Sequence, residues 1–355
     1  MKLFPLLAGL CAAACAFAAD YPAPVEGDFV LKDFKFRAGG VLPELRIHYR
    51  TVGMPRRDAS GRVTNAVLIG HGTGGTGATF LRPEFGGELF GAGQPLDAAK
   101  YFIVLPDGIG HGKSSKPSDG LHAKFPHYGY RDMIEAQYRL LTEGLGVARA
   151  RLVMGTSMGG MHTWLWGQTY PDFMDALMPL ASVPVQISGR NRAWRRMAID
   201  AIRNDPEWQG GEYMTQPQSL RTGAQFLYLM SSNPVLRQAE APTLAAADAA
   251  LDAFVANYVK TADANDYLYA LEASADYDPN PGLEKITAPL LAINTADDLI
   301  NPPELGILER EIKRVKKGRA IVLPLSPETR GHGSHTLAKL WKDELVNLLS
   351  ATEKR

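Results

Sequence analysis

Cysteine is almost missing: the 355 residues contain two, Cys11 and Cys15, and none follows them. Both fall in a stretch that reads as a processing signal. Lys2 carries the only charged side chain before Asp20, an apolar run extends from Leu3 to Phe17, and Ala16-Phe17-Ala18 offers a small-x-small cleavage site. The run is rich in Ala and short against the roughly 20 residues that a bilayer span needs. Ala12-Ala13-Ala14 before Cys15 also lacks the large aliphatic residue that begins a lipobox. Residues 1–19 are therefore read as a cleaved signal, and the mature protein as periplasmic or secreted, with no stable membrane insertion. Once cut, the chain holds no thiol, which excludes disulfides, thiolate metal sites and a cysteine nucleophile.

Net charge is missing too, with 38 Lys plus Arg against 38 Asp plus Glu. Nucleic acid and anionic membrane surfaces, which attract a basic excess, are not expected partners. His111, His122 and His127 lie close in sequence but without H-E-x-x-H or comparable ligand spacing, so no metal is expected. Gly110-His111-Gly112-Lys113-Ser114 lacks the first spaced glycine of a phosphate loop, and no lysine follows the glycines of 72–75. No cofactor is expected.

The rest is a chain of ordinary globular composition, long enough for one large α/β domain with an insertion. Residues 28–53 alternate as a hairpin turning at Gly39-Gly40. Short apolar runs follow at 66–69, 101–105, 151–154 and 176–180, and again at 289–293 and 320–323. An amphipathic stretch separates two of them, with Met133, Ile134, Tyr138, Leu140 and Leu141 at helical spacing. Continuous apolar runs alternating with such helices predict a mostly parallel sheet with helices on both faces. From about 185 to 285 the rhythm changes to helical and polar, with Trp194, Trp208, Tyr213, Phe226 and Tyr228 scattered through it. The expected division is a core over 20–184, a helical cap over 185–285, and a core again over 286–355.

Chemistry concentrates at Gly155-Thr156-Ser157-Met158-Gly159, a G-x-S-x-G sequence between the run 152–154 and a helix-compatible stretch from Met161 to Tyr170. That pattern suits a serine held on a tight strand-to-helix turn, where neighbours must lack bulk. Serine needs a histidine base and a carboxylate to orient it. In this arrangement acid and base follow the serine in that order. His332 in Gly331-His332-Gly333 is the expected base, and His335 is read as structural or as a neighbour that supports the residues of the site. Thr295-Ala296-Asp297-Asp298-Leu299 holds the acid, with Asp297 as the choice and Asp298 as the alternative. The expected oxyanion donors are the backbone N–H groups of Met158 and of Thr73, in His71-Gly72-Thr73-Gly74-Gly75.

These residues resemble the homoserine O-acetyltransferase-like branch of the α/β-hydrolase superfamily. The carriers are Phe125-Pro126, Arg131-Asp132-Met133, the 155–161 segment, Tyr170-Pro171-Asp172, Asp205-Pro206-Glu207-Trp208, Gly210-Gly211-Glu212-Tyr213, and finally Asp297 with Gly331-His332. The resemblance implies an α/β-hydrolase fold, an acyl-serine enzyme and a helical lid narrowing the approach to Ser157. The chain departs from the transferase pattern at Gly333, where the transferases usually carry an acid, and at Gly72-Thr73-Gly74, where they have leucine-threonine-glycine. Its segment 109–118 also lacks their usual run. The expected activity is hydrolysis of an ester or related acyl bond in a small molecule. An O-acyltransferase and a non-catalytic binding protein are the rivals. Oligomeric state is left open, a homodimer being one expectation.

Overall fold

The computed structural model describes residues 20–353. The expected signal, with Cys11 and Cys15, lies outside the described residues. The chain opens with β1 (Val25–Lys35) and β2 (Val41–Val52), paired antiparallel from Val25↔Thr51 to Lys35↔Val41. Gly39 and Gly40 both take positive φ between them, where a side chain would be strained. Next come β3 (Ala66–Gly70), the single turn α1 (Gly86–Leu89), β4 (Phe102–Pro106), α2 (Tyr130–Arg139), β5 (Ala150–Thr156), α3 (Met158–Thr169) and β6 (Leu177–Leu180).

A helical stretch follows: α4 (Gly189–Arg203), α5 (Ser219–Ser231), α6 (Pro234–Glu240), α7 (Leu244–Val259) and α8 (Ala264–Glu272). The sheet resumes with β7 (Leu290–Thr295), the short α9 (Ile307–Glu311), β8 (Gly318–Leu323) and α10 (Lys342–Ala351).

The strands form one sheet in the order β1-β2-β4-β3-β5-β6-β7-β8, antiparallel through the first three and parallel thereafter. Every residue of β3, β4, β6 and β7 is buried, which is why these strands read as continuous apolar runs. Successive side chains enter opposite faces. Leu68, Val104 and Val153 pack with Met133, Ile134 and Trp164 from α2 and α3. Val67, Ile69, Ile103 and Met154 pack on the other side with Phe85, Trp341 and Leu345.

α3 is buried from Met158 to Gly167, and its apolar residues lie all round it, as a helix inside a core requires. Its two tryptophans keep their N–H groups paired, Trp164 to Ser182 Oγ and Trp166 to Gln137 Oε1, both at 3.1 Å. The segment α4–α8 has an apolar centre of its own, built on Trp194, Ile199, Ile202, Leu220, Leu268 and Leu271. Among the described residues no helix is long and apolar enough to cross a membrane.

Gly110–Ser114 forms a turn around Asp107, whose buried carboxylate accepts Gly77 N–H (2.8 Å), Lys113 N–H (2.9 Å) and Arg50 Nη1–H (2.9 Å). A side chain at Gly112 would run into that carboxylate. Gly112 thus makes room for the ion pair, and Gly110 for the Tyr128 ring.

Candidate active site

Ser157 lies between the end of β5 and the start of α3, with φ 54° and ψ −112°. A non-glycine residue in that region costs on the order of 1–3 kcal/mol and persists only where its surroundings over-determine it. Glycines provide the room. A methyl at Gly155 would meet the Gly159 backbone, and one at Gly159 would meet the Gly70 carbonyl of β3. The turn is thereby pressed against the neighbouring strand, and the Ser157 side chain stands clear of the sheet.

His332 follows β8 by a loop and begins a 3-10 turn (Gly333–Thr336). Its Nε2 lies 2.8 Å from Ser157 Oγ. Its Nδ1 lies 2.9 Å from Oδ2 of Asp298, and that carboxylate is fully buried. Asp298 Oδ1 also accepts the N–H groups of Ile300 (2.8 Å) and Asn301 (3.1 Å), while Oδ2 takes Asn301 Nδ2–H at 3.1 Å. Burial by itself would raise the Asp298 pKa. The charge and hydrogen bond of His332, with the donors of Asn301, outweigh it and hold the carboxyl below its ordinary value.

Asp297, chosen above as the acid, does not reach His332. Its Oδ2 accepts Gly331 N–H at 2.8 Å and a hydrogen bond from Asn233 Nδ2. It therefore joins the loop carrying His332 to the N-cap of α6. The correction has a simple cause. Both aspartates start an Asp-x-aliphatic pattern, Asp297-Asp298-Leu299 and Asp298-Leu299-Ile300, and spacing alone does not separate them. Asp298 is the one whose side chain closes an Asx turn onto Ile300 and Asn301.

Serine, imidazole and buried carboxylate in hydrogen-bonded series can pass a proton from hydroxyl to ring and stabilise the imidazolium formed. The model of the alpha/beta hydrolase fold family matches residues 65–319. A homoserine O-acetyltransferase of Thermobifida fusca is 30% identical over 304 residues, covering 74% of this chain and 78% of that protein. The chain belongs to the α/β-hydrolase family, in its homoserine O-acetyltransferase-like branch.

Solved structures show the same fold. The homoserine O-acetyltransferase of Bacillus anthracis superposes with a TM-score of 0.81 at 23% identity, covering 92% of this chain and 98% of that one. An acetylester hydrolase of Corynebacterium glutamicum gives 0.80 at 21% identity, covering 92% and 96%. Acyl transfer or hydrolysis is thus the chemistry of this α/β-hydrolase.

The Gly72-Thr73 loop borders Ser157, since a methyl at Gly72 would lie 3.3 Å from Ser157 Cβ and 3.9 Å from Oγ. Behind it His111 Nε2 lies 3.0 Å from the Thr73 carbonyl, and its Nδ1 lies 2.9 Å from the Ile109 carbonyl. His71 accepts Gly108 N–H on Nε2 (2.9 Å) and donates from Nδ1 to Gly72 O (2.8 Å). Burial lowers the His71 pKa to about 4, aided by the nearby His111 charge.

A cavity of about 230 Å³ opens over Ser157 and His332. Trp194, Leu227 and Tyr267 wall it from the helical segment, whereas Phe226 is not among its lining residues. His335 lines it as well, its ring 5.1 Å from that of His332, in the supporting place that was one of the two readings of it above. Burial, reinforced by the His332 charge, lowers its pKa to about 3, which keeps it neutral. Arg195 also lines the cavity and was not singled out from the sequence, where it stands in the arginine-rich run Arg190–Arg196 of α4.

Proposed function

We propose that the protein is an exported serine hydrolase that cleaves an ester or related acyl bond of a small molecule through an acyl-serine intermediate. The observation that carries this reading is the hydrogen-bonded series Ser157–His332–Asp298 opening onto a cavity. His332 Nε2 accepts the Ser157 proton as Oγ attacks the acyl carbon, and Asp298 stabilises the resulting imidazolium through Nδ1–H. The oxyanion is held by the backbone N–H groups of Thr73 and Met158. Collapse expels the alcohol, which takes the proton from His332. Water then adds to the acyl-enzyme with His332 as base, releasing the acid and restoring Ser157.

Transfer to an alcohol acceptor shares every step but the last, and the relative from Thermobifida fusca bears the name of a transferase. Hydrolysis is favoured by Gly333, which leaves no acidic side chain directly after His332, and by Gly72-Thr73-Gly74 in place of the transferase loop. The leader-like residues 1–19 add that the mature enzyme works outside the compartment that holds acyl-CoA. Partition of the acyl group decides between the two. With p-nitrophenyl acetate as donor, free acetate should account for the p-nitrophenol released, with or without added homoserine. Acetyl-homoserine as the main product would establish the transferase instead.

A further inference from the structure

A second cavity, of about 580 Å³, lies beside the smaller one over Ser157. It opens between the segment leading from β6 into α4 and the loop that follows β7. Val185, Ile187, Leu299 and Ile307 line it half-buried, and Leu305 lines it 59% exposed. Aliphatic surface in a concave site gains free energy when an apolar group covers it. An engineered apolar cavity of about 150 Å³ takes up benzene, so this space admits a considerably longer hydrocarbon. Its charged neighbours offer little to a polar ligand. Asp298 serves His332 and Asn301, Asp297 serves Gly331 and Asn233, and the remaining Asp297 oxygen is buried. Arg190 Nη2 donates to the Leu299 carbonyl at 2.6 Å, and Glu304 is exposed to solvent.

Neither Ser157 nor His332 is among the described residues that line this cavity, yet Ile300 lines both it and the one over Ser157. The Ile300 backbone is held in place, because its N–H donates to Asp298 Oδ1 at 2.8 Å. Its half-buried side chain is thus a partition between the two spaces. Met161, one turn of α3 beyond Ser157, borders the larger space as well. We propose that the larger cavity receives an unbranched aliphatic arm of the ester, entering past Ile300, whose side chain sets how long an arm is accepted. The smaller cavity, of about 230 Å³, then holds the reacting group and the short remainder of the molecule. The substrate class is an ester of a medium-length fatty acid or of a medium-length aliphatic alcohol. This deepens the hydrolase reading and rests on it for the location of the scissile bond.

The arm can belong to the acyl part or to the alcohol part, and two substrate pairs separate these. p-Nitrophenyl octanoate is compared with the butanoate, and octyl acetate with butyl acetate, each below its solubility limit. In one pair the longer member should exceed the shorter in kcat/KM by roughly 10- to 100-fold, somewhat less than full burial of the added methylene groups would give. Ile300→Phe, which thickens the partition, and Leu305→Asp, which puts a charge into the cavity, should both bring that ratio towards one. A ratio that both variants leave unchanged would place the chain elsewhere and overturn the proposal. Ratios at or below one for both pairs in the wild type would also overturn it, while Ser157-dependent cleavage of the shorter esters kept the hydrolase reading. Octanamide, which cannot be an acyl acceptor through a hydroxyl, should inhibit cleavage of the longer ester competitively. Activation of p-nitrophenyl acetate cleavage by octanamide would reveal a separate ligand site and overturn the assignment of the cavity to a substrate arm. Calorimetry of octanamide with Ser157→Ala gives a readout apart from turnover. Saturable binding with a negative heat-capacity change, removed by Leu305→Asp, would sustain the chain subsite even if no ester were cleaved.

Discussion

Replacing Asp298 by Asn changes the tautomer of His332, and the hydrogen bonds around it show why. Asp298 Oδ1 serves two backbone donors, Ile300 and Asn301 N–H, and Oδ2 faces His332 Nδ1. An asparagine has one acceptor oxygen, and the two fixed N–H groups claim it. Its amide NH₂ must then point at Nδ1, which becomes an acceptor, so the ring proton moves to Nε2. A protonated Nε2 cannot take the Ser157 proton. The same substitution in a serine protease triad costs about 10⁴ in kcat, which corresponds to roughly 5.5 kcal/mol of barrier. The expectation for Asp298→Asn is a loss of that order in kcat/KM on p-nitrophenyl acetate, with the folded state checked by near-ultraviolet circular dichroism. Asp297→Asn should behave differently. Both of its donors use Oδ2, and Oδ1 has no hydrogen-bond partner. One amide oxygen can therefore keep both bonds, and activity should stay within about 5-fold, as expected for hydrogen bonds worth about 1 kcal/mol each. If Asp297→Asn proves the more damaging, or Asp298→Asn retains a tenth of the activity, the assignment of the acid is wrong.

Gly331 has φ +60°, and a methyl there would lie 2.9 Å from the Ser232 carbonyl oxygen. Gly331→Ala should therefore destabilise the protein by on the order of 1–3 kcal/mol in thermal melts, and displacement of His332 should lower kcat. His111→Ala removes the buried imidazole that sits between the Thr73 and Ile109 carbonyls, so kcat should fall by about 10- to 100-fold through the oxyanion loop. An unchanged kcat would separate His111 from that loop. Asp266 in α8 accepts Ser118 N–H (2.9 Å) and Ser118 Oγ–H (2.7 Å), and burial pushes its pKa up to about 6 from 3.8. A raised folded-state pKa means that its stabilising contribution is complete below about pH 4 and lost as pH rises through 6. Asp266→Asn should then stabilise the protein by of order 1–3 kcal/mol near pH 8, with a smaller gain near pH 5. Equal gains at the two pH values would contradict the burial of that carboxyl.

Much of the fold was legible because a parallel sheet buries both faces of its strands. Six apolar runs predicted from the sequence coincide with β3 to β8, and Gly39-Gly40 turns the expected hairpin. Ser157 was legible because its backbone needs glycine at 155 and 159. The helical stretch between β6 and β7 showed itself as an interruption of the strand rhythm. The acid was misplaced by one residue because an Asp-Asp pair satisfies the same pattern twice. Only the Asx turn, a matter of three-dimensional closure, distinguishes its members. Arg195 was illegible for another reason. In a run holding Arg190, Arg192, Arg195 and Arg196, an arginine ordinarily belongs to a solvated helix face. Arg196 indeed pairs on the surface with Asp200. Which of the four turns inward depends on how α4 lies against the cavity.

The most direct test of the hydrolase account is continuous p-nitrophenol release from a short acyl ester by the purified protein, run beside Ser157→Ala. The account predicts steady turnover in water that the substitution abolishes. Equal rates in the two proteins would contradict Ser157 as nucleophile, and a burst that stops until an alcohol acceptor is added would contradict hydrolysis.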